Sequence, residues 1–280
     1  MLRDAGVLTA VDVVSFGMLS VDANHVRLAV VDWGGTGPSA LLLHGLAGHA
    51  KEWTDTAAWL SEDHRVVAFD QRGHGGSDRR PTDLSKDAFV DDVRAVITEL
   101  GLAPLVLIGQ SLGGHTAFLT AARHPELVSA LVVAEASPEG DSPDSVECVR
   151  QRLAAWPVPF PSREEAIRYF GGESLAARAW ADGLEERADG WWPAFDIDVL
   201  ITALADGTRR DYWAEWERIQ CPTLVVRGER GWLAPDTAKD MLRRVPSAQL
   251  AEIAGAGHDL HLDQPDQWRR VVTDFLAPRT

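Results

Sequence analysis

The sequence predicts an α/β protein with a mostly parallel, doubly wound sheet and one helical insertion. Short apolar runs typical of buried strands alternate with amphipathic segments typical of helices, and this order is characteristic of a parallel sheet with helices on both faces. The alternation stops near residue 140 and resumes near residue 220. Hydrophobic residues make up 45% of the 280 residues, which is enough for a sizeable core around such a sheet.

Before the break, five apolar runs predict strands and three amphipathic segments predict helices. ALLLHG has no polar residue before His44, as expected of a strand buried on both faces. The segment 83–101 has apolar residues at helical spacing and ends at Gly101, a residue favoured just after a helix. The predicted strands are HVRLAVVDW (25–33), ALLLHG (40–45), RVVAFD (65–70), PLVLIG (104–109) and VSALVVAE (128–135), and the predicted helices are HAKEWTDTAAWLSED (49–63), DLSKDAFVDDVRAVITELG (83–101) and SLGGHTAFLTAARHP (111–125).

Residues 140–219 contain no clear strand and form the predicted insertion, while residues 1–139 and 220–280 form the predicted core. Helices are predicted in the insertion over 163–172, 174–187 and 208–219. In the second part of the core, PTLVVRG (222–228) and AQLAEIA (248–254) predict strands, and APDTAKDMLRRVP (234–246) and DQPDQWRRVVTDFLAP (263–278) predict helices. The insertion holds six of the eleven tryptophans: Trp156, Trp180, Trp191, Trp192, Trp213 and Trp216.

Charge and cysteine content limit the kinds of partner. The formal net charge of −15 implies a surface that repels phosphate backbones and anionic membranes, so neither nucleic acid nor a membrane is expected as a partner. Cys148 and Cys221 are too few for a disulfide framework and lie outside metal-binding spacings. We therefore expect two reduced thiols and no metal site.

Neither a signal peptide nor a membrane span is evident in the sequence. The first 20 residues contain Asp4, Asp12 and a single arginine, which does not match the layout of a signal peptide. No uninterrupted apolar run approaches the ~18 residues of a spanning helix. We expect a cytoplasmic protein, and the sequence does not indicate an oligomeric state.

One serine lies at the end of a predicted strand in a setting typical of a nucleophile. Gly109-Gln110-Ser111-Leu112-Gly113 directly follows PLVLI and precedes a predicted helix. A sharp strand-to-helix turn crowds the backbone of its central residue, so the flanking positions must be small, and the helix N-terminus favours developing negative charge. We therefore predict that Ser111 is a nucleophile. The alternative is a tight turn with an unreactive serine.

Four motifs, in this order, resemble those of the α/β-hydrolase family. They are LLLHGLAGH (41–49), FDQRGHGGSD (69–78), the pentapeptide around Ser111, and GAGHDLHLDQP (255–265), and the resemblance covers nearly all of the chain from about residue 18. It implies an α/β-hydrolase sheet, with residues 140–219 as a helical cap, and an enzyme that needs no cofactor.

The resemblance also implies the roles of several side chains and N–H groups. His258 lies between the last strand and the last helix, where the family places the base that takes the proton of the serine. The oxyanion would be bound by the N–H of Leu112, which follows the serine, and by the N–H of Leu46, which follows the His-Gly pair. His44 and His74 are expected to shape their turns.

The acid of the triad is absent from the position where the family commonly carries it. In place of G-x-x-D-x-x-x-P the chain has GERGWLAP (228–235), so Gly231 takes the place of the acid. Some α/β-hydrolases place the acid one strand earlier, where this chain has Glu135 at the end of SALVVAE. Glu135 is our candidate acid, with Glu229 and Asp236 as weaker candidates. The alternative is that Glu135 only caps the start of the insertion.

These features predict a serine hydrolase that cleaves a carboxylic ester, a lactone or a related acyl bond through a Ser111–His258–Glu135 triad. The resemblance leaves open a carbon–carbon bond hydrolase and a cofactor-free haloperoxidase or perhydrolase. The serine argues against dehalogenases and epoxide hydrolases, which use a carboxylate at that turn. A ligand receptor on the same scaffold is the alternative outside the enzymes. The tryptophan-rich cap predicts a small-molecule substrate with an apolar or aromatic part. The alternative is that most of these tryptophans form the core of the cap.

Overall fold

The computed structural model describes residues 17–277; the first 16 residues of the predicted core and the last three lie outside this range. Up to residue 134, the described chain forms six strands and three α-helices. The strands are β1 Gly17–Ala23, β2 Val26–Gly34, β3 Ser39–Leu43, β4 Arg65–Phe69, β5 Leu105–Gln110 and β6 Val128–Ala134, and the helices are α1 Thr54–Leu60, which follows a short 3-10 helix at Ala50–Trp53, α2 Lys86–Leu100 and α3 Leu112–Arg123.

Residues 140–219 are mainly helical but also contain a short hairpin. The elements are α4 Pro143–Ala154, α5 Arg163–Phe170, α6 Leu175–Asp182, β7 Leu184–Arg187, β8 Gly190–Pro193, α7 Ile197–Asp206, a 3-10 turn at Gly207–Arg209, and α8 Trp213–Trp216. The chain then forms β9 Thr223–Gly228, α9 Pro235–Arg244, β10 Ala248–Ile253, α10 Leu260–Asp263 and α11 Pro265–Leu276.

The hairpin corrects the prediction that this insertion has no strand. The helix predicted over 174–187 ends at Asp182, because Gly183 follows, and LEER (184–187) then pairs with GWWP (190–193) in an antiparallel ladder. The two adjacent tryptophans of β8 favour a strand, as aromatic residues do. The helix predicted over 208–219 is likewise too long, since α8 covers only four residues, and the sequence does not predict α4 or α7.

Within residues 17–277, eight strands form one sheet in the order β1-β2-β4-β3-β5-β6-β9-β10. Six neighbouring strands run parallel: β4, β3, β5, β6, β9 and β10. Strand β2 is antiparallel to both β1 and β4. The predicted mostly parallel, doubly wound sheet is confirmed, and each predicted core strand is present. The sequence does not predict β1, because five of its seven residues are exposed and it lacks a continuous apolar run.

Alternate residues of the central strands contact opposite helical layers. Leu43 of β3 belongs to an apolar cluster that includes Phe118 of α3, whereas its neighbour Leu42 belongs to a cluster on the other face that includes Trp268 of α11. Both faces of β3 are therefore buried, which explains its uninterrupted apolar sequence.

The structure bears on the state of the cysteines and on membrane-spanning helices. Cys148 and Cys221 are both free thiols, as the sequence predicts. Within residues 17–277, no helix combines the length and the apolar character needed to cross a bilayer.

The carboxyl ends of the parallel strands bring the predicted site residues to one edge of the sheet. Strand β3 is followed by His44 and Gly45, β5 by Ser111 and β6 by Glu135, and these three strands are neighbours. The loop that carries His258 follows β10. Ligands of open α/β sheets bind at this edge, so the topology directs attention to these residues.

Candidate active site

Ser111 occupies a sharp turn between β5 and α3. Its φ of 54° and ψ of −118° lie in a region that residues with a side chain rarely adopt. A Cβ on Gly109 would lie 2.2 Å from the carbonyl oxygen of Gly113, and a Cβ on Gly113 would lie 2.3 Å from that of Leu43. Backbone contacts therefore exclude larger residues from both flanking positions, as the sequence predicts for this turn.

Glu135 follows β6 directly, and its carboxylate accepts three backbone hydrogen bonds. Oε1 accepts from the N–H of Gly228 at 2.7 Å. Oε2 accepts from the N–H groups of Trp232 and Leu233 at 2.5 and 3.2 Å. The side chain is fully buried, and the backbone has a positive φ of 51°. The donors hold the carboxylate in one position against the loop that follows β9.

Gly231, in the usual position of the acid, leaves room for this carboxylate. A Cβ on Gly231 would lie 2.2 Å from Oε1, 2.3 Å from Cδ and 2.4 Å from Oε2 of Glu135. The carboxylate of Glu135 therefore fills the space in front of residue 231. A side chain at position 231 and the present position of the Glu135 carboxylate exclude each other.

His258 contacts both Glu135 and the aromatic residue next to Gly231. Its Nδ1 lies 3.3 Å from Oε2 of Glu135, and its ring stacks on the indole of Trp232 with centroids 4.1 Å apart. The carbonyl oxygen of His258 accepts a hydrogen bond from the side-chain amide of Gln110 at 2.9 Å, which ties the loop to the residue before Ser111. The structure thus brings His258 and Glu135 together, and the imidazole remains 20% exposed.

The N–H groups of Leu46 and Leu112 are available as donors. Leu112 is the first residue of α3, and within residues 17–277 neither N–H has a protein acceptor. The turn after β3 is closed by a bond from the N–H of Gly48 to the carbonyl oxygen of Gly45 at 3.1 Å, and Ala47 has a positive φ of 64°. Both loops line the same cavity as Ser111.

Two buried histidines brace the turn that contains Leu46. Nδ1 of His44 donates to the carbonyl oxygen of Gly45 at 2.7 Å, and its Nε2 accepts from the N–H of Gln71 at 2.9 Å. Nε2 of His74 accepts from the N–H of Ala47 at 3.2 Å. Burial lowers the pKa of His44 and lowers that of His74 to about 3, so both rings are neutral. Each ring therefore has one nitrogen that donates and one that accepts. Their structural role agrees with the sequence prediction.

The weaker candidates for the acid lie elsewhere. Glu229 is exposed, and its carboxylate accepts from the N–H of Gly255 at 2.7 Å. Asp236 is exposed at the start of α9 and pairs with Lys239 at 2.9 Å. Among the described residues, His258 forms its one carboxylate contact with Glu135.

Ser111, Glu135 and His258 line one cavity of about 840 Å³. The insertion contributes a largely apolar part of its wall, and of the six tryptophans in that segment, Trp156 and Trp180 line the cavity and the others do not. Polar residues of the insertion, including Arg152, also line the cavity, together with apolar residues of α4 and α5: Val149, Leu153 and Phe170.

Sequence reasoning missed two residues that adjoin the candidate acid–base pair. Trp232 follows Gly231 and stacks on His258. Asp259 follows His258, accepts a hydrogen bond from Nε1 of Trp180 at 3.0 Å, and has its pKa raised mainly by burial. Their positions beside Gly231 and His258, inside the segments 228–235 and 255–265, were the available signal, but the motifs assign no role to either side chain, so only the contacts reveal their place.

Comparisons with known proteins agree with this architecture. A model of the alpha/beta hydrolase fold matches residues 38–265. The sn-1-specific diacylglycerol lipase ABHD11 of Mus musculus is 28% identical over 94% of this chain and 89% of its own length. The 2-(acetamidomethylene)succinate hydrolase of Mesorhizobium japonicum is 26% identical over 95% of this chain and 98% of its own length.

Solved structures are similar over nearly the whole chain. The crystal structure of E-2-(acetamidomethylene)succinate hydrolase superposes with a TM-score of 0.86 at 25% identity, covering 94% of this chain and 100% of that one. The enol-lactonase from Burkholderia xenovorans LB400 has a TM-score of 0.75 at 21% identity, covering 93% of this chain and 100% of its own, and is similar in fold alone.

Proposed function

Because this chain belongs to the α/β-hydrolase fold family, as its motifs predict, we propose that it is a serine hydrolase that cleaves a carboxylic ester, a lactone or a related acyl bond. The family match and the similar solved structures also confirm the predicted α/β-hydrolase sheet. The names of its relatives support hydrolysis in general, since they include a diacylglycerol lipase and a hydrolase of an acetamidomethylene succinate.

One observation supports the triad most strongly: the carboxylate of Glu135 fills the space that Gly231 leaves open and contacts His258 at 3.3 Å. The glycine, which taken alone favours a pseudoenzyme, is thereby explained as the partner of an acid that comes from β6. A third group behind the histidine orients the ring and stabilises the imidazolium that forms during reaction.

In the proposed reaction, Ser111 attacks the carbonyl carbon while His258 takes the proton from its hydroxyl. Glu135 contacts Nδ1 of the imidazole, so Nε2 is the ring nitrogen left to take the proton of Ser111 in this proposal. His258 then gives the proton to the leaving group, and a water molecule activated by the same ring releases the acyl group from Ser111. These steps need only the side chains named.

The N–H groups of Leu46 and Leu112 bind the oxyanion of the tetrahedral intermediate. Support comes from their lack of protein acceptors within residues 17–277 and from the two neutral histidines that brace the Leu46 turn. Because those donors are positioned before the substrate arrives, little reorganisation is needed as charge develops on the oxygen.

Residues 140–219 serve as a cap over the site in this proposal, and residues 17–139 and 220–277 form the described part of the core. Trp156 and Trp180 give the cavity broad apolar surfaces that suit a small-molecule substrate with an apolar or aromatic part. A cap of this kind also excludes water from the acyl group until His258 activates one molecule.

A fluorophosphonate probe tests the proposal directly. The wild-type protein should be labelled on Ser111, and both Ser111→Ala and His258→Ala should abolish labelling while leaving the melting temperature within a few degrees of the wild type. If the folded wild-type protein stays unlabelled, the serine is unreactive and the ligand-receptor alternative replaces the enzyme.

A further inference from the structure

Arg152 brings a positive charge without a counter-ion to the wall of the candidate active site. It lies in the last turn of α4, and its side chain lines the same cavity as Ser111 and His258. Its guanidinium lies over the indole of Trp232, 5.5 Å from the ring centroid. Within residues 17–277, the guanidinium has neither a carboxylate partner nor a hydrogen-bond acceptor.

Other arginines of the described chain that lie over an aromatic ring differ from Arg152 in having a carboxylate partner. Five more arginines lie over an aromatic ring, and every one of them also contacts a carboxylate. The N–H donors of a guanidinium lie in its plane. An arginine that lies over an aromatic face therefore keeps these donors free to bind a carboxylate. The pairs are Arg72 with Asp92, Arg187 with Glu185, Arg210 with Glu215, Arg244 with Glu217, and Arg269 with Glu62.

Arg152 is connected to His258 through the ring of Trp232. The indole that it covers is the one that stacks on the imidazole of His258, with ring centroids 4.1 Å apart. Arg152 and His258 therefore both contact the ring of Trp232, and both line the cavity that contains Ser111. Arg152 is exposed as well, so a charged group can reach it from solvent.

The acidic residues of the cavity wall either accept hydrogen bonds from the protein or have pKa values that burial raises. Glu139 accepts a hydrogen bond from Thr237 at 3.1 Å. Burial raises the pKa of Asp141 and of Asp259, because it penalises the charged form of each carboxyl group. The guanidinium stays charged at any physiological pH, and the other cation of the wall, Lys86, is buried.

We propose that Arg152 binds a carboxylate carried by the substrate, so that the substrate is an acyl compound with a free acid group. The carboxylate would accept two parallel hydrogen bonds from N–H groups of the guanidinium, while the indole of Trp232 holds the guanidinium in place. The identification of a hydrolysable acyl group rests on the proposed function. The acid group itself is assigned from Arg152 and is tested independently.

The kinetic test compares three 4-nitrophenyl esters of matched length: hexanoate, the monoester of adipate, and 6-aminohexanoate. We expect the ratio of kcat/KM for the adipate monoester to that for the hexanoate to fall about 10-fold or more in Arg152→Met. Arg152→Lys should retain part of the ratio, because the charge remains but the planar pair of donors is lost.

A matched control lies two residues away on the same helix. Arg150 pairs with Glu147 at 3.2 Å and does not line the cavity, so Arg150→Met should leave the ratio at its wild-type value. An unchanged ratio in Arg152→Met overturns the carboxylate site. A wild-type preference for the 6-aminohexanoate also overturns it, since the acidic residues of the wall would then govern selection.

A binding measurement separates this inference from the hydrolase proposal. Adipate is titrated by calorimetry into Ser111→Ala and into Ser111→Ala/Arg152→Met, so that no turnover is needed. Weaker binding to the double variant supports the site even if Ser111 proves unreactive. Equal binding to both variants removes the site even if fluorophosphonate labelling establishes the serine as a nucleophile.

Discussion

The indole ring of Trp232 stacks on the imidazole of His258, with centroids 4.1 Å apart and the two planes inclined by 20°. The backbone N–H of the same tryptophan donates to Oε2 of Glu135, the oxygen that faces Nδ1 of His258. Trp232 thus contacts the candidate base through its side chain and the candidate acid through its backbone. An aromatic face beside an imidazole stabilises the protonated ring more than the neutral one.

Replacing Trp232 by Leu should therefore slow the chemical step. The imidazolium that forms in the transition state would lose its aromatic partner, and kcat should fall about 5- to 30-fold with little change in KM. Trp232→Phe, which keeps an aromatic face, should recover most of kcat. A rise in KM with kcat intact would instead assign Trp232 to substrate contact alone. Steady-state kinetics on one ester distinguishes the two results.

Changing Glu135 to Gln should lower kcat by about 10² to 10⁴, because an amide neither fixes the tautomer of His258 nor stabilises its charged form. Glu229→Gln is the matched control, since its exposed carboxylate only accepts from the N–H of Gly255. We expect kcat of the control to equal that of the wild type. The opposite ranking of the two variants would transfer the acid role to Glu229.

The acid should be transferable to position 231. Gly231→Asp alone should be unstable and inactive, because its Cβ would lie 2.2–2.4 Å from the carboxylate atoms of Glu135. In Glu135→Gly/Gly231→Asp that conflict is absent, and Gly231 itself does not have the positive φ that would strain a side chain. We expect kcat at least about 10-fold above that of Glu135→Gly. A folded double variant with no such gain would contradict the idea that the two positions supply the same group.

The glycines of the serine turn should tolerate no side chain. Gly109→Ala should lower the free energy of unfolding by more than about 3 kcal/mol, since its Cβ would lie 2.2 Å from a backbone oxygen. Gly101→Ala, at the end of α2, has nothing within 4 Å of the added Cβ and should cost only about 1 kcal/mol through its φ of 62°. Urea unfolding of both variants measures the difference. Similar losses would show that steric conflict at Gly109 is relieved by movement of the turn.

Acid should destabilise the protein partly through His74. Its pKa is lowered from 6.5 to about 3, first by burial, so the folded state keeps the ring neutral while the unfolded chain takes up a proton below 6.5. Stability should therefore fall as the pH drops from about 6.5 towards 3, by up to ~1.4 kcal/mol per pH unit for this group. His74→Gln should reduce that slope in urea unfolding between about pH 7.5 and pH 5. The slope should not vanish, because burial also lowers the pKa of His44. An unchanged slope would show that His74 does not contribute.

Prediction from the sequence succeeded where the signal was local. Central strands such as β3 are continuous apolar runs, and Gly101 ends α2 where the sequence predicts, with the positive φ that favours glycine. The insertion was harder to predict, because short helices and the hairpin of β7 and β8 have no strong periodicity of their own. They are stabilised by packing, as between Phe160 and Trp191, whose backbones exchange two hydrogen bonds outside any predicted element.

For the candidate site, the chain alone identified Ser111 through the glycines that its turn requires and identified the loop of His258 through its motif. It could show that position 231 lacks an acid, but it could not show which carboxylate faces the histidine, since Trp232 lies 97 positions after Glu135. The pairing of β6 with β9 in the sheet brings these segments together. Contacts between distant segments arise only when the chain folds, so the places of Glu135 and Trp232 beside His258, and of Arg152 over Trp232, depend on the folded arrangement of the sheet and of residues 140–219.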